Sequence, residues 1–228
     1  MKIITDNTDG VLRSAAEFIC DFVRNKPDAV IGFAAGDTQK GIYAKLISSG
    51  TDFSRVKAFA VAEYAGLEPD DPKSCTYMLQ NELFSKLNVR DVHFPDANAP
   101  EAYENEIDAC GGLDFVVLGI GMNGHIGFNE PGTAFDSYTR IQKLTDNTKR
   151  MKAAFFGGFD KVPDEAVTMG LKTICSARHV MLTALGEEKS YIIHSLVYGK
   201  TLTYVPAAML QMHRNMTLFL DNEAASKL

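Results

Sequence analysis

The residues best suited to chemistry lie in one glycine-dense stretch, Leu118-Gly119-Ile120-Gly121-Met122-Asn123-Gly124-His125-Ile126-Gly127-Phe128-Asn129-Glu130-Pro131-Gly132. Glycine at this density lets backbone come close to a ligand, and it holds His125 and Glu130 on one constrained loop. A histidine beside a carboxylate can shuttle protons near neutral pH, because the carboxylate orients the ring and favours its charged form. A lone histidine is more often held by a structural hydrogen bond; the composition of this loop argues for function.

Two further loops follow apolar runs. Ala34-Ala35-Gly36-Asp37-Thr38 leads into a helical pattern, where free amides can hold a phosphate through Ala35, Gly36 and Thr38. Asp37 opposes an anion there, and an ordinary N-capped turn explains the same residues. In Leu185-Gly186-Glu187-Glu188-Lys189 the two glutamates suit the start of a helix, whereas Lys189 does not and can instead meet a ligand phosphate.

These loops need strands and helices to position them. Short β-branched runs alternate with helical patterns, which predicts repeated βαβ units and an open α/β sheet flanked by helices. The expected strands cover 2–5, 28–34, 56–61, 114–118, 179–185 and 216–220. Helices are expected over 39–48, 74–86, 101–110 and 187–198, and Val11, Leu12, Ala15, Ala16, Ile19, Phe22 and Val23 recur at helical spacing. In such sheets ligands bind beyond the carboxyl ends of the strands, where all three loops fall. Pro72, Pro95, Pro100, Pro131 and Pro163 are expected in loops. No linker or repeat divides the chain, so residues 1–228 read as a single domain. The stretch 145–163 fits a mobile flap or an ordinary surface helix and turn.

Composition removes other classes. A formal charge of -6 lacks the basic face that nucleic acid requires. No apolar run is long enough to span a membrane and the start resembles no signal peptide, so a cytoplasmic chain with a small-molecule or protein partner is expected. Cys20, Cys75, Cys110 and Cys175 form no CxxC pair, and no metal-binding motif occurs among the histidines, so no metal site is expected.

The run GIGMNGHIGFNEPG resembles the signature loop of the glucosamine-6-phosphate deaminase/isomerase family, whose wider superfamily includes 6-phosphogluconolactonases. IGFAAGDT, AEYAGL, SCTYMLQNELF, SYTRIQKLT and LGEEK are similar to further family segments in order and spacing, so the resemblance spans nearly the whole chain. FNEPG favours the deaminase branch over the lactonases. The resemblance implies a Rossmann-like three-layer sandwich with a mostly parallel sheet. It also implies conversion of glucosamine or galactosamine 6-phosphate to a ketohexose 6-phosphate and ammonia, with no cofactor. Catalytic roles then fall to His125, Glu130 and Asn123, and substrate binding to Ala35, Gly36, Thr38, Gly121, Gly124 and Lys189. A phosphorylated hexose or hexosamine is the implied partner, and a homo-oligomer is carried over from the family.

The chain departs from the family at the chemistry. Where the family has the aspartate that moves a proton between C2 and C1, this sequence has Ala62, and the neighbouring Glu63 would point to the opposite face of a strand. A second aspartate, two residues before the histidine, is Asn123, which cannot stabilise an imidazolium. The flap arginine aligns with Ala154, leaving Lys189 or, one turn earlier, Arg150 or Lys152; Asp37 and Gln39 replace the family's Gly and Pro. Three readings follow: an impaired or altered deaminase/isomerase, a non-catalytic sugar-phosphate binder with a regulatory role, or a chain altered at Ala62 and Asn123 to trap a ligand.

Overall fold

Seven strands, the five inner ones buried on both faces and the two edge ones more exposed, form the central sheet of the computed structural model, which describes residues 1–228. They are β1 (Lys2–Asp6), β2 (Val30–Phe33), β3 (Lys57–Ala60), β5 (Asp91–His93), β6 (Phe115–Gly119), β9 (His179–Ala184) and β10 (Met216–Asp221), in the order β1-β10-β9-β6-β2-β3-β5. Every neighbouring pair is parallel. Parallel pairing requires a crossover between strands, and the helices that make the crossovers cover both faces.

Alternation along the strands divides the core in two. Ile31, Phe33, Phe115, Val117 and Phe219 join one cluster with α1 (Thr8–Asn25) and α2 (Asp37–Ser48). Val30, Val116, Leu118, Leu182 and Leu218 join the other with α4 (Pro100–Ala109), α6 (Leu171–Cys175) and α7 (Ser190–Tyr198). The α/β three-layer arrangement expected from the sequence is therefore the observed one. Helix α1 shows why the local sequence suffices: Asn7 caps its start by accepting from Gly10 N at 3.0 Å, and Val11, Ala15, Ile19 and Val23 form its buried stripe.

The largest departure from expectation is a second, antiparallel sheet in the order β4-β8-β7, built from β4 (Ala62–Tyr64), β8 (Glu165–Thr168) and β7 (Arg140–Lys143). Its strands are three or four residues long and carry too little alternation to be read from sequence. The chain passes from β3 into β4 across Val61 alone, which carries Ala62 out of the main sheet. Smaller corrections concern helices. The stretch expected as one helix over 74–86 is α3 (Cys75–Leu79) followed by a π-helical turn, Gln80–Phe84. The helix expected from 187 begins as a 3₁₀ turn, Glu187–Lys189, before α7. Pro100 opens α4 instead of lying in a loop, because a first helical residue has no use for the missing N–H. The stretch 145–163, expected as a flap or a surface helix and turn, is α5 (Asp146–Phe156), capped by Thr145 and closed by Gly157 in the left-handed region, with a 3₁₀ turn after it.

From β2 the chain runs outward through β3 to β5; from β6 it runs the opposite way through β9 to β10. The loops after β2 and β6 therefore flank the point where the strand order reverses, which opens a crevice at the carboxyl edge of the sheet.

Candidate active site

A cavity of about 330 Å³ fills that crevice. It is lined by the loop after β2 and the start of α2, the glycine loop after β6, the turn after β9, and Met151 and Lys152 of α5. Of the residues singled out from sequence, Ala35, Gly36, Thr38, Gly121, His125 and Lys189 all face it. A smaller cavity of about 90 Å³ adjoins it, sharing Ala34, Ala35, His125, Gly127 and Lys152 and adding Val61, Ala62, Tyr64, Cys75 and Phe128. His125 thus stands between a larger chamber with the lysines and a smaller one with the Ala62 methyl.

Local bonds fix these walls. Tyr43 Oη donates to Ala34 O at 2.7 Å, holding the β2 loop against α2. Gly121 N donates to His125 O at 2.9 Å, and a side chain on Gly121 would overlap the imidazole, so the glycine creates the space for the ring. Asp221, at the end of β10, accepts from Gly186 N at 3.0 Å and braces the turn that carries Lys189.

The proton-transfer group differs from expectation in its bonding. Glu130 is 2 % exposed and lies behind the cavity wall, where its carboxylate accepts from Asn123 Nδ2 at 2.9 Å and from Thr145 N at 3.3 Å. Asn123 Oδ1 accepts from the backbone N–H of His125 at 3.2 Å. The asparagine amide therefore stands between Glu130 and the histidine backbone, and the ring atom Nδ1 is buried without a partner. The expected carboxylate-oriented ring is absent, because an amide engages one neighbour with its oxygen and the other with its nitrogen, and neither bond reaches the imidazole.

Burial pushes the His125 pKa down to about 4; the Glu130 charge opposes this, while Lys152 and Lys189 add to it. The folded state thus holds a neutral imidazole that the unfolded chain protonates near pH 6.5. Stability from this site is complete above that pH and is lost as pH falls from about 6.5 toward 4, by about 3 kcal/mol in all. Urea titrations of the wild type and His125→Gln between pH 7 and 4 are expected to show a decline shallower by that amount in the variant. Equal slopes would mean that the ring is not held neutral.

Corrections at other positions have simple causes. Gly124, expected at the ligand, has φ +84°, and a side chain there would strike Val205 and Ile192, so it serves the turn. Glu63 is turned away from both cavities: its carboxylate accepts from Tyr64 N, Cys75 N and Thr76 N at 2.6–3.0 Å, two of these being the first amides of α3. It is a helix anchor and no substitute for the missing base. Arg150 is exposed and lies near Asp146 at 3.5 Å, so Lys152 is the cation that α5 sends into the site. Ala154 is exposed on the same helix. Asp37 is at the cavity rim with its side chain 94 % exposed, 3.8 Å from Lys40, which keeps most of its charge in solvent. Gln39, Met151 and Glu188 also line the cavity, and only the departure of Gln39 from the family pattern had pointed to it.

No carboxylate faces the smaller cavity. Its titratable side chains besides His125 and Lys152 are Tyr64 and Cys75, whose pKa values burial pushes up, so neither is ionised near neutral pH. Lys189 is shifted down by burial and by Lys152, against the pull of Glu188.

Comparison with known proteins places this geometry. A family model for glucosamine-6-phosphate isomerases/6-phosphogluconolactonase matches residues 6–219. A glucosamine-6-phosphate deaminase of Clostridium botulinum (strain Loch Maree / Type A3) is 38 % identical over 238 aligned residues, covering 99 % of this chain and 98 % of the relative. One from Arthrobacter sp. (strain FB24) is 43 % identical over 226, covering 94 % and 87 %. Among solved structures, a monomeric glucosamine-6-phosphate deaminase superposes with a TM-score of 0.96 at 35 % identity, covering all of both chains. The 6-phosphogluconolactonase from Trypanosoma brucei shares the fold at TM-score 0.83 and 19 % identity, over 100 % of this chain and 98 % of that one. With the match running from β1 into β10 and including all three loops of the site, the chain belongs to the glucosamine-6-phosphate isomerase/6-phosphogluconolactonase family.

Proposed function

We propose that this chain binds an amino-sugar 6-phosphate, glucosamine or galactosamine 6-phosphate, and acts on it as a deaminase/isomerase with impaired turnover. The observation that carries the reading is the position of His125 between a chamber holding two lysines and a chamber holding the Ala62 methyl. In this arrangement Lys152, Lys189 and the first amides of α2 take the phosphate. His125, neutral and at the junction, moves a proton between the ring oxygen and the anomeric hydroxyl, which opens the sugar.

The next step moves a proton from C2 to C1, leaving an imine at C2 that water converts to the ketone and ammonia. A methyl group cannot accept that proton, and the small chamber supplies no other carboxylate. His125 is the remaining acceptor, and its low pKa makes it a weak base there. Ring opening is therefore retained and isomerisation slowed. Closure of α5 over the ligand through Met151 and Lys152 fits the same reading.

The second reading, a non-catalytic sugar-phosphate binder with a regulatory role, is favoured by the same lack of a carboxylate near Ala62. Ammonia release from both amino-sugar phosphates, measured beside thermal melting with each, separates the two. Slow but measurable release with a raised melting temperature supports the impaired enzyme; raised melting without release supports the binder. No shift with any hexose phosphate would remove both.

A further inference from the structure

The reversal point of the strand order holds a side chain that the mechanism above does not use. Gln39, in the first turn of α2, is 2 % exposed and lines the larger cavity. A Cβ added to Gly36, after β2, would lie 2.6 Å from its Oε1, and one added to Gly119, at the end of β6, would lie 2.8 Å from its Nε2. The carboxamide is thus wedged between the two loops that flank the crevice, in room that exists because both positions are glycine. Its Nε2 is buried and has no hydrogen-bond partner. Buried donors are almost always paired, and this one is closed off in the empty site, so its pairing requires the carboxamide to turn toward a group that arrives in the cavity with the ligand.

The chemistry of that partner follows from the group. A carboxamide both donates and accepts, which matches a hydroxyl, whereas a phosphate oxygen only accepts and in the proposed site is met by Lys152 and Lys189, which line the same cavity. Hydroxyls lie between the reacting C1–C2 pair and the phosphate on C6, at C3 and C4. We infer that Gln39 is a specificity-determining residue of this site, pairing with the C3 or C4 hydroxyl of the sugar. The inference rests on the sugar-phosphate reading and goes beyond it by naming what selects the sugar. A site built to pair with a hydroxyl rejects the analogue that lacks it far more strongly than an apolar pocket does, because the polar group is then left unpaired.

The test is calorimetric titration of the full chain with glucosamine 6-phosphate, its 3-deoxy and 4-deoxy analogues, and inorganic phosphate, repeated on Gln39→Leu and Gln39→Glu. The unaltered chain is expected to bind one deoxy analogue at least about tenfold more weakly than the parent sugar, and Gln39→Leu to reduce that ratio to within about twofold. Inorganic phosphate is expected to bind the unaltered chain and Gln39→Leu equally. Gln39→Glu keeps the shape and loses the donor, and is expected to reduce the same ratio. A merely structural glutamine would lower the melting temperature of both variants and leave the ratio as it was, which overturns the inference. Loss of phosphate binding in Gln39→Leu in proportion to the parent sugar also overturns it, by moving the contact to the phosphate. If the unaltered chain binds no sugar phosphate at all, the underlying reading fails and this one with it.

Discussion

Replacing Ala62 and Asn123 together by aspartate is expected to raise ammonia release from glucosamine 6-phosphate by about 10⁴-fold or more, with Ala62→Asp alone supplying about 10²-fold or more. The argument begins with room. Ala62 is buried in β4, where it pairs with Thr168, and its methyl faces a cavity of about 90 Å³ that can accept a carboxylate without displacing the strand. An aspartate there would lose hydration, which raises its pKa, while Lys152 in the same wall opposes the rise. That balance favours a base that is ionised near neutral pH and still basic enough to take a proton from carbon.

Asn123→Asp acts on a different step. In place of an amide facing Glu130 with its nitrogen, it puts a second carboxylate beside the histidine, which favours the imidazolium and raises the His125 pKa from about 4. Two carboxylates at the former 2.9 Å contact repel each other, so the new aspartate has reason to turn toward His125. The checks are steady-state rates from pH 5 to 9 and the titration of the ring by NMR. Turnover of the unaltered chain at an ordinary rate, on the order of 10 per second, would sink the impaired-enzyme reading, as would a double variant no faster than the parent.

Six of the seven central strands, both helix layers and the three ligand loops were legible because recurrent features specify them: buried strands such as Val30–Phe33, the stripe of α1, and glycine at strand ends; β5, three residues long at the sheet edge, was not expected. The antiparallel sheet was not, since β4, β7 and β8 are too short for any period to emerge and are defined by pairing with distant partners. The same limit governs the site. His125, Lys189 and the β2 loop are near one another because the strand order brings their loops together, and each loop carries its own local signal. The direction of Glu63 depends on amides of α3 twelve residues on, and the separation of His125 from Glu130 depends on which way one amide turns. Neither is encoded in spacing. Gln39 could be marked as a departure from the family pattern, but its burial against Gly36 and Gly119 required both loops to be in place.

Removing both cavity lysines, by Lys152→Ala with Lys189→Ala, is expected to weaken binding of a hexosamine 6-phosphate by about 10²- to 10⁴-fold, from about 1.5–3 kcal/mol for each charge-assisted contact. An acidic protein of net charge -6 can hold a dianion only where positive potential is concentrated. In this site the lysines share the wall with Asp37 and Glu188. Asp37 is displaced toward solvent and Lys40, so the lysines dominate the interior, and each lowers the proton affinity of His125. The binding energy of the phosphate is thus coupled to the proton chemistry: the same two charges that hold the anion keep the imidazole neutral. The double variant should therefore also raise the His125 pKa, which NMR of the ring would show in the absence of ligand. Arg150→Ala, on the exposed face of α5, is the control and should change neither quantity. Affinity for unphosphorylated glucosamine should be the same in all variants. Retention of phosphate affinity in the double variant would remove the lysines from the phosphate site and leave the anion to the uncapped first turn of α2 alone, whose amides Gly36 leaves without a side-chain partner.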